Sequence, residues 1–412
     1  MKEKVVLAYS GGLDTSVAIH WLQERFNLDV ITLTVDITGD RNLEGVREKA
    51  LKLGALKAIT VQASETFVKF FVFPALKADA LYEGVYPLAT ALSRPLIARL
   101  LVDVAREEGA SFVAHGCTGK GNDQVRFDVG VKTLDPGLKI IAPAREWGMS
   151  REETIDYAHQ HNIPVPATVS SPYSIDDNLW GRSIECGVLE DPWRESPDDV
   201  FSWTNSPLEA PDKPAFVEVE FDKGVPVMLD GENLPPVELV VRLNELAGLH
   251  GVGRIDHIED RLVGIKSREI YEAPAAVTLL GAHQALESLT LSRDQIRVKR
   301  IVAQEYARLV YDGLWYTAHH QDLASYVDST QRFVSGAVRM KLFKGNCIAV
   351  GRRSPYSLYN YDLATYEKGD QFDHKSSPGF INIWGLSSSL QSRVQPLDED
   401  DPGHIINWKD VR

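Results

Sequence analysis

Cysteine is scarce: Cys117, Cys186 and Cys347 are the only three in 412 residues, far apart and with no CxxC pair. That excludes a disulfide framework and a cysteine-ligated zinc site, and it suits a reducing cytoplasmic setting. No apolar run approaches the ~20 residues a membrane-spanning helix needs. Met1-Lys2-Glu3-Lys4 leads straight into a strand pattern, so no secretory leader is expected. Positive charge is in deficit, with Lys+Arg 44 against Asp+Glu 58 and a net charge of −14. Such a surface repels a phosphate backbone and no basic patch offsets it, so neither nucleic acid nor membrane is expected as a partner. The lysine-bearing phosphate loop Gly-x-x-x-x-Gly-Lys-Ser/Thr is missing, which sets aside the common γ-phosphate machinery. No Ser-His-Asp or Cys-His arrangement is evident, so a covalent enzyme intermediate is not expected.

What is present is a soluble composition, 44% hydrophobic and 25% charged, in a chain too long for one ordinary core. Over the first 165 residues strands and helices alternate. Strands are expected at 4–9, 29–35, 57–62, 112–115 and 140–142. A helix over 15–26 carries Val17, Trp21 and Phe26 on one side, and a later helix has Pro95 in its first turn. Ser150-Arg151-Glu152-Glu153 opens another helix as a capping box. This alternation implies an α/β fold with a doubly wound parallel sheet. After Pro164-Val165-Pro166 the texture changes. Residues 167–215 read as long ordered loops, and the half beyond them reads as α+β, with a hairpin around Lys344-Gly345. The expected division is a nucleotide-binding domain over 1–166, a second domain over 167–375 and a C-terminal arm over 376–412. Asp398-Glu399-Asp400-Asp401 in that arm reads as a solvated stretch.

Two glycine-rich loops carry the chemistry. Val5-Val6-Leu7-Ala8-Tyr9-Ser10-Gly11-Gly12-Leu13-Asp14-Thr15-Ser16 reads as strand, glycine turn and hydroxyl-rich helix start. Such a turn aims backbone N–H groups and a helix N-terminus at one point, which suits a phosphate or pyrophosphate. The second loop, His115-Gly116-Cys117-Thr118-Gly119-Lys120-Gly121-Asn122-Asp123-Gln124-Val125-Arg126, follows another strand of the same sheet. Loops at the carboxyl ends of parallel strands gather on one edge, so both should face one cleft. Arg126 supplies a fork that suits a carboxylate. Read by themselves, Cys117 fills space, His319-His320 lies at the surface, and Glu259 beside Arg261 forms a surface ion pair.

The first loop resembles the pyrophosphate loop of the ATP pyrophosphatases, which cleave ATP between the α and β phosphates. Both loops together resemble the argininosuccinate synthase family. Ser171-Pro172-Tyr173-Ser174-Ile175-Asp176, Glu190-Asp191-Pro192-Trp193, His250-Gly251-Val252-Gly253-Arg254-Ile255-Asp256 and Lys266-Ser267-Arg268-Glu269-Ile270-Tyr271-Glu272 follow in family order. The resemblance implies a ligase that joins citrulline and aspartate through citrullyl-AMP, with ATP as substrate, Mg2+ sharing the phosphate charge, and a homotetrameric assembly. It assigns Ala8, Tyr9, Ser10, Gly11, Gly12, Leu13, Asp14, Thr15, Ser16, Val35 and Gly116 to ATP. Tyr86, Arg126, Ser174, Ser183, Glu259 and Tyr271 go to citrulline, Thr118 and Asp123 to aspartate, and Asn122 to both. Asp14, Asp123 and Arg126 are the expected catalytic residues. Asp14 fits either a metal or water contact or the charge of the helix N-terminus, and no metal ligand is assigned. Val35, Ala91, Ile184 and Glu269 depart from residues frequent in the family. A related ureido substrate and a catalytically silent nucleotide sensor stay open as alternatives. A tRNA thiolase would want paired cysteines and a basic surface, and an amidotransferase-linked synthetase an ammonia supply; the sequence shows none of these.

Overall fold

The computed structural model describes residues 2–39, 41–164 and 172–395. The expected boundary at 166/167 and the acidic stretch Asp398–Asp401 lie outside them. The chain up to Leu358 forms one compact unit and the chain from Tyr359 a second.

Five parallel strands, β1 (Lys4–Ala8), β2 (Asp29–Asp36), β3 (Lys57–Gln62), β4 (Phe112–Ala114) and β5 (Lys139–Ile141), form one sheet in the order β3-β2-β1-β4-β5. Val5, Val6 and Leu7 are all fully buried because helices cover both faces, the usual state of a parallel sheet. Alternation divides them. Val6, Ile31 and Val113 join the larger core, while Val5, Leu7 and Val30 meet Ile19 and Leu22 of the helix Leu13–Phe26. That helix buries Val17, Ala18, Ile19 and Leu22; Phe26 stands exposed at its end, off the expected stripe. The strand order reverses between β1 and β4, so their carboxyl ends open a crevice.

Pro95 is not in a first turn. The helix runs Ala89–Glu108, with Pro95 in its interior. Small buried residues, Ala89, Ala91 and Ser93, let the added turns pack closely, and the Tyr86 hydroxyl takes the Thr90 N–H at 3.0 Å. This longer helix carries Arg94 inward.

Residues 167–215 are not all loop. β6 (Ser174–Asn178) and β7 (Gly181–Glu185) form a two-residue hairpin whose turn holds Leu179 and the buried Trp180. Each strand carries a single isoleucine, Ile175 or Ile184, among polar residues, and the bulky Leu179 and Trp180 sit in the turn, which hides the strand signal. The chain then makes β8 (Ala215–Asp222), β9 (Val225–Leu229), β10 (Glu232–Asn233), β11 (Arg254–Asp260), β12 (Lys266–Glu272), β13 (Gly336–Phe343) and β14 (Asn346–Arg353). These complete two antiparallel sheets, β11-β12-β7-β6 and β10-β9-β8-β13-β14. Lys344 and Gly345 turn the β13–β14 hairpin with φ of 46° and 85°, the positive pair a tight hairpin wants.

His320 is buried, not at the surface, with its ring 4.4 Å from Trp315 and 4.6 Å from Tyr306. Burial lowers its imidazole to about 4, so it stays neutral. A charged network also lies in the core. Lys299, on the helix Arg293–Tyr311, bonds Asp79 and lies 2.8 Å from Glu287, while His283 meets Asp79 at 2.9 Å and Gln331 at 2.8 Å.

From Tyr359 on, the helices Ser377–Trp384 and Leu386–Val394 bury none of their residues and expose Ile381, Ile383, Trp384 and Leu386. Among the described residues no helix is long and apolar enough to cross a membrane.

Candidate active site

At the carboxyl ends of β1, β2 and β4 lies a cleft of about 1010 Å³. Every residue of the first loop from Ala8 to Thr15 lines it except Gly11, and Val35 and Gly116 do so as well. Gly11 makes the turn itself, with φ 80°. Ser16 is buried beneath, 3.2 Å from the Tyr9 hydroxyl. The helix Leu13–Phe26 has Gly12 as its N-cap and no side-chain cap bond. Its first N–H groups thus remain for an anion. Arg41 donates to the Ser10 carbonyl and Lys49 to the Gly11 carbonyl at 2.6 Å. Neither cation was singled out from sequence, although both follow β2 on the edge that its topology aims at the cleft.

The two loops meet. A Cβ on Gly116 would stand 2.8 Å from the Thr15 Cγ2. Gly116→Ala should therefore push the second loop off the first and raise the ATP requirement more than the requirement for either amino acid. Separate substrate titrations read this, and an unchanged ATP dependence would show that the contact is slack. Cys117 lines the same cleft, and burial pushes its thiol well up, with Asp123 adding to the rise. It is no thiolate, in keeping with the space-filling reading.

A second cluster sits on one face of the β11-β12-β7-β6 sheet. Opposed residues of antiparallel strands share a face, and the register sets Asp176 opposite Ser183, Ser183 opposite Tyr271, and Ser174 opposite Glu185. Ile184 and Ile270 point the other way into a small apolar core. Glu259 is not a surface ion pair. It is 3% exposed and accepts from the Tyr271 and Tyr311 hydroxyls, each at 2.5 Å. Asn122 donates to the Tyr311 hydroxyl at 2.8 Å, and Tyr86 stacks on Tyr271 with centroids 4.1 Å apart. Ser183 lies 3.1 Å from the Thr90 hydroxyl. Thr118 and Ser174 are exposed, and their side chains bond none of these groups among the described residues.

Arg126 donates through Nε to the Tyr311 carbonyl at 2.8 Å and through Nη1 to Asp123 at 2.9 Å. Its Nη2 is buried with no partner among the described residues. Arg94 donates to Asp123 at 2.7 Å and to Asp176. Burial alone would raise the Asp123 carboxyl, but the two guanidinium groups overcome it and hold it at about 2. Arg94 and Asp176 also line the cleft, so one chain of contacts runs from the first loop's crevice to Arg126. Arg94 and Tyr311 escaped sequence reasoning. A signal for the second existed in Gly313, whose Cβ would strike the Arg126 Cα at 2.8 Å with φ at 77°.

Arg261 pairs instead with Glu185 and, at 2.7 Å, with Glu269. Burial and then the Glu185 charge push the Glu269 carboxyl up to about 8, against the pull of Arg261. A carboxyl raised on folding favours the native state while protonated, so stability should fall as pH rises from the ordinary carboxylate range to about 8. Glu269→Gln, which keeps the neutral shape, should raise the melting temperature, with a gain that grows up to about pH 8 and then levels. A gain independent of pH would place the titration elsewhere.

Residues 4–164 match the family described as the Arginosuccinate synthase N-terminal HUP domain, and residues 173–391 match the Arginosuccinate synthase C-terminal domain. A protein named argininosuccinate synthase from Dehalococcoides mccartyi (strain CBDB1) is 59% identical over 404 residues, covering 98% of this chain and 100% of the relative. One of the same name from Oceanobacillus iheyensis is 57% identical, covering 95% of this chain and 94% of the relative. Another from Symbiobacterium thermophilum is 57% identical, covering 96% and 98%.

Proposed function

Since the chain belongs to the argininosuccinate synthase family, we propose that it joins citrulline to aspartate, converting ATP to AMP and pyrophosphate. The observation that carries this reading is the Arg94 bridge. Its guanidinium lines the nucleotide cleft and pairs with Asp123, which pairs with Arg126 in the side-chain cluster. Phosphates and amino-acid ends would thus share one site, as an adenylating ligase needs. A silent sensor has no use for the second half of that chain, and the family premise does not favour it.

In this reading the ATP phosphates lie against the N–H groups of Leu13, Asp14 and Thr15 and the Gly11–Gly12 turn, with Val35 and Gly116 along the adenosine. The unpartnered Nη2 of Arg126 takes the citrulline carboxylate, and Tyr86, Ser174, Ser183, Glu259 and Tyr271 surround the rest of that substrate. Asn122, Asp123 and Thr118 hold aspartate; each Asp123 oxygen carries one guanidinium bond and keeps a lone pair for an ammonium. The ureido oxygen attacks the α-phosphorus and the bond to pyrophosphate breaks. The aspartate amine then attacks the ureido carbon, and the C–O bond breaks with AMP as leaving group. No protein nucleophile takes part, and the rate comes from placing three substrates and fixing charge.

Mg2+ binds through one or two carboxylates plus substrate phosphates. Asp14 suits it, an exposed carboxylate on the cleft wall, and the ion would supply charge neutralisation there. The exposed apolar helices between 377 and 394 support a homotetramer built through this arm. Three free cysteines suit the cytoplasm.

Citrulline labelled with ¹⁸O in the ureido group tests the route. The label should appear in the AMP phosphate, read by mass spectrometry. ADP as product would refute the loop assignment, and unlabelled AMP would refute the citrullyl-adenylate. Turnover only with another ureido compound would move the substrate and leave the mechanism.

A further inference from the structure

Away from the cleft, His20, Glu24 and His161 bring one ligand atom each within 4.8 Å of one another. We propose that these three side chains form a site for a divalent transition-metal ion of the Zn2+ class, joining the helix Leu13–Phe26 to the end of the helix Arg151–Gln160. His20 and Glu24 are four apart on one helix, the spacing that puts two ligands on one face. A Zn2+ held at about 2.0–2.1 Å from each ligand needs ligand atoms about 3.4 Å apart, and His20 Nδ1 lies 3.4 Å from Glu24 Oε2. The His161 ring is already 4.1 Å from that of His20, centroid to centroid. Tyr157 makes the outer shell. Its hydroxyl donates to Glu24 at 2.8 Å and accepts from His20 Nδ1 at 3.0 Å, so a bound metal displaces the Nδ1 proton while the hydroxyl stays on the carboxylate.

The scaffold is rigid beneath and open above. Val17, Ala158 and Ile163 pack into a buried core directly under the two helices. The side chains of His20 and Glu24 are 32% and 54% exposed, which leaves an entry path and room for water as a fourth ligand. Two imidazoles and one carboxylate select Zn2+, Co2+, Ni2+ or Cu2+ over Mg2+. Among the described residues the other group of comparable geometry, Asp79, His283 and Glu287, is filled by the Lys299 ammonium.

The test uses the full chain, stripped with a chelator and titrated with Co2+ alone. One Co2+ per chain should bind and give the visible absorption of a low-coordinate site. Zn2+ should displace it, and Mg2+ should not. Bound Zn2+ should raise the melting temperature of the parent but not of His161→Ala. His161→Ala and Glu24→Gln should lose the band while keeping the far-ultraviolet dichroism of the metal-free parent, and Tyr157→Phe should keep it at an affinity about tenfold weaker. Absence of the band in the parent, or its persistence in both His20→Ala and His161→Ala, would overturn the assignment.

Discussion

Replacing Arg126 with alanine should raise the citrulline requirement by about two to three orders of magnitude and the ATP requirement far less. The expectation follows from burial: Arg126 is 4% exposed, and removing one partner of a desolvated charge pair costs about 2–5 kcal/mol. Part of that loss is local, because Asp123 and the Tyr311 carbonyl each lose a donor. Arg126→Lys separates the two contributions. It restores a positive charge beside Asp123 but cannot fill the fork that leaves Nη2 free for a second acceptor. Citrulline affinity should therefore remain poor in the lysine variant while its melting temperature recovers. A citrulline dependence unchanged in both variants would remove Arg126 from the site.

Lys299→Met should cost about 3–5 kcal/mol of stability, read from the urea midpoint, with no cleft residue touched. Lys299 is 2% exposed and answers two carboxylates, Asp79 and Glu287. His283 alone then faces both. Its two ring nitrogens meet the Asp79 carboxylate and the Gln331 Oε1, both acceptors, so the ring is doubly protonated. Burial opposes that charge, and Glu287 and Asp79 overcome it to raise the imidazole above its ordinary value. Stability from His283 is thus complete below the ordinary imidazole range and lost as pH rises through the raised value. In the methionine variant a stranded carboxylate has its folded value raised, so the deficit should shrink on acidification. A deficit that is constant with pH would mean lost packing instead of stranded charge.

The nucleotide half was legible because its signals are local. β1 is a continuous apolar run, Gly11 must turn with positive φ, and Ser150 caps its helix with Glu153 in return. The other half was legible in part: β8 alternates apolar and acidic residues and Lys344-Gly345 marks the β13–β14 hairpin, but β6 and β7 hide their pattern. β6 carries serine, aspartate and asparagine toward a polar face with one isoleucine between them, and the bulky Leu179 and Trp180 sit in the turn. Glu259 shows the limit from the other side. Nothing in its neighbours tells that two tyrosines, 12 and 52 residues away, will enclose it. Family resemblance supplied it, where spacing favoured an ion pair with Arg261 that the fold does not make. Pro95 misled for a similar reason: a proline marks a helix start only when tertiary packing does not hold further turns before it.

The bond from Arg126 to the Tyr311 carbonyl spans 185 residues of chain, and that distance orders events during synthesis. A ribosome has released both glycine loops long before it makes the helix that ends in Tyr311. Until that helix is made, Arg126 lacks the carbonyl that its Nε meets, so its final placement comes late in synthesis.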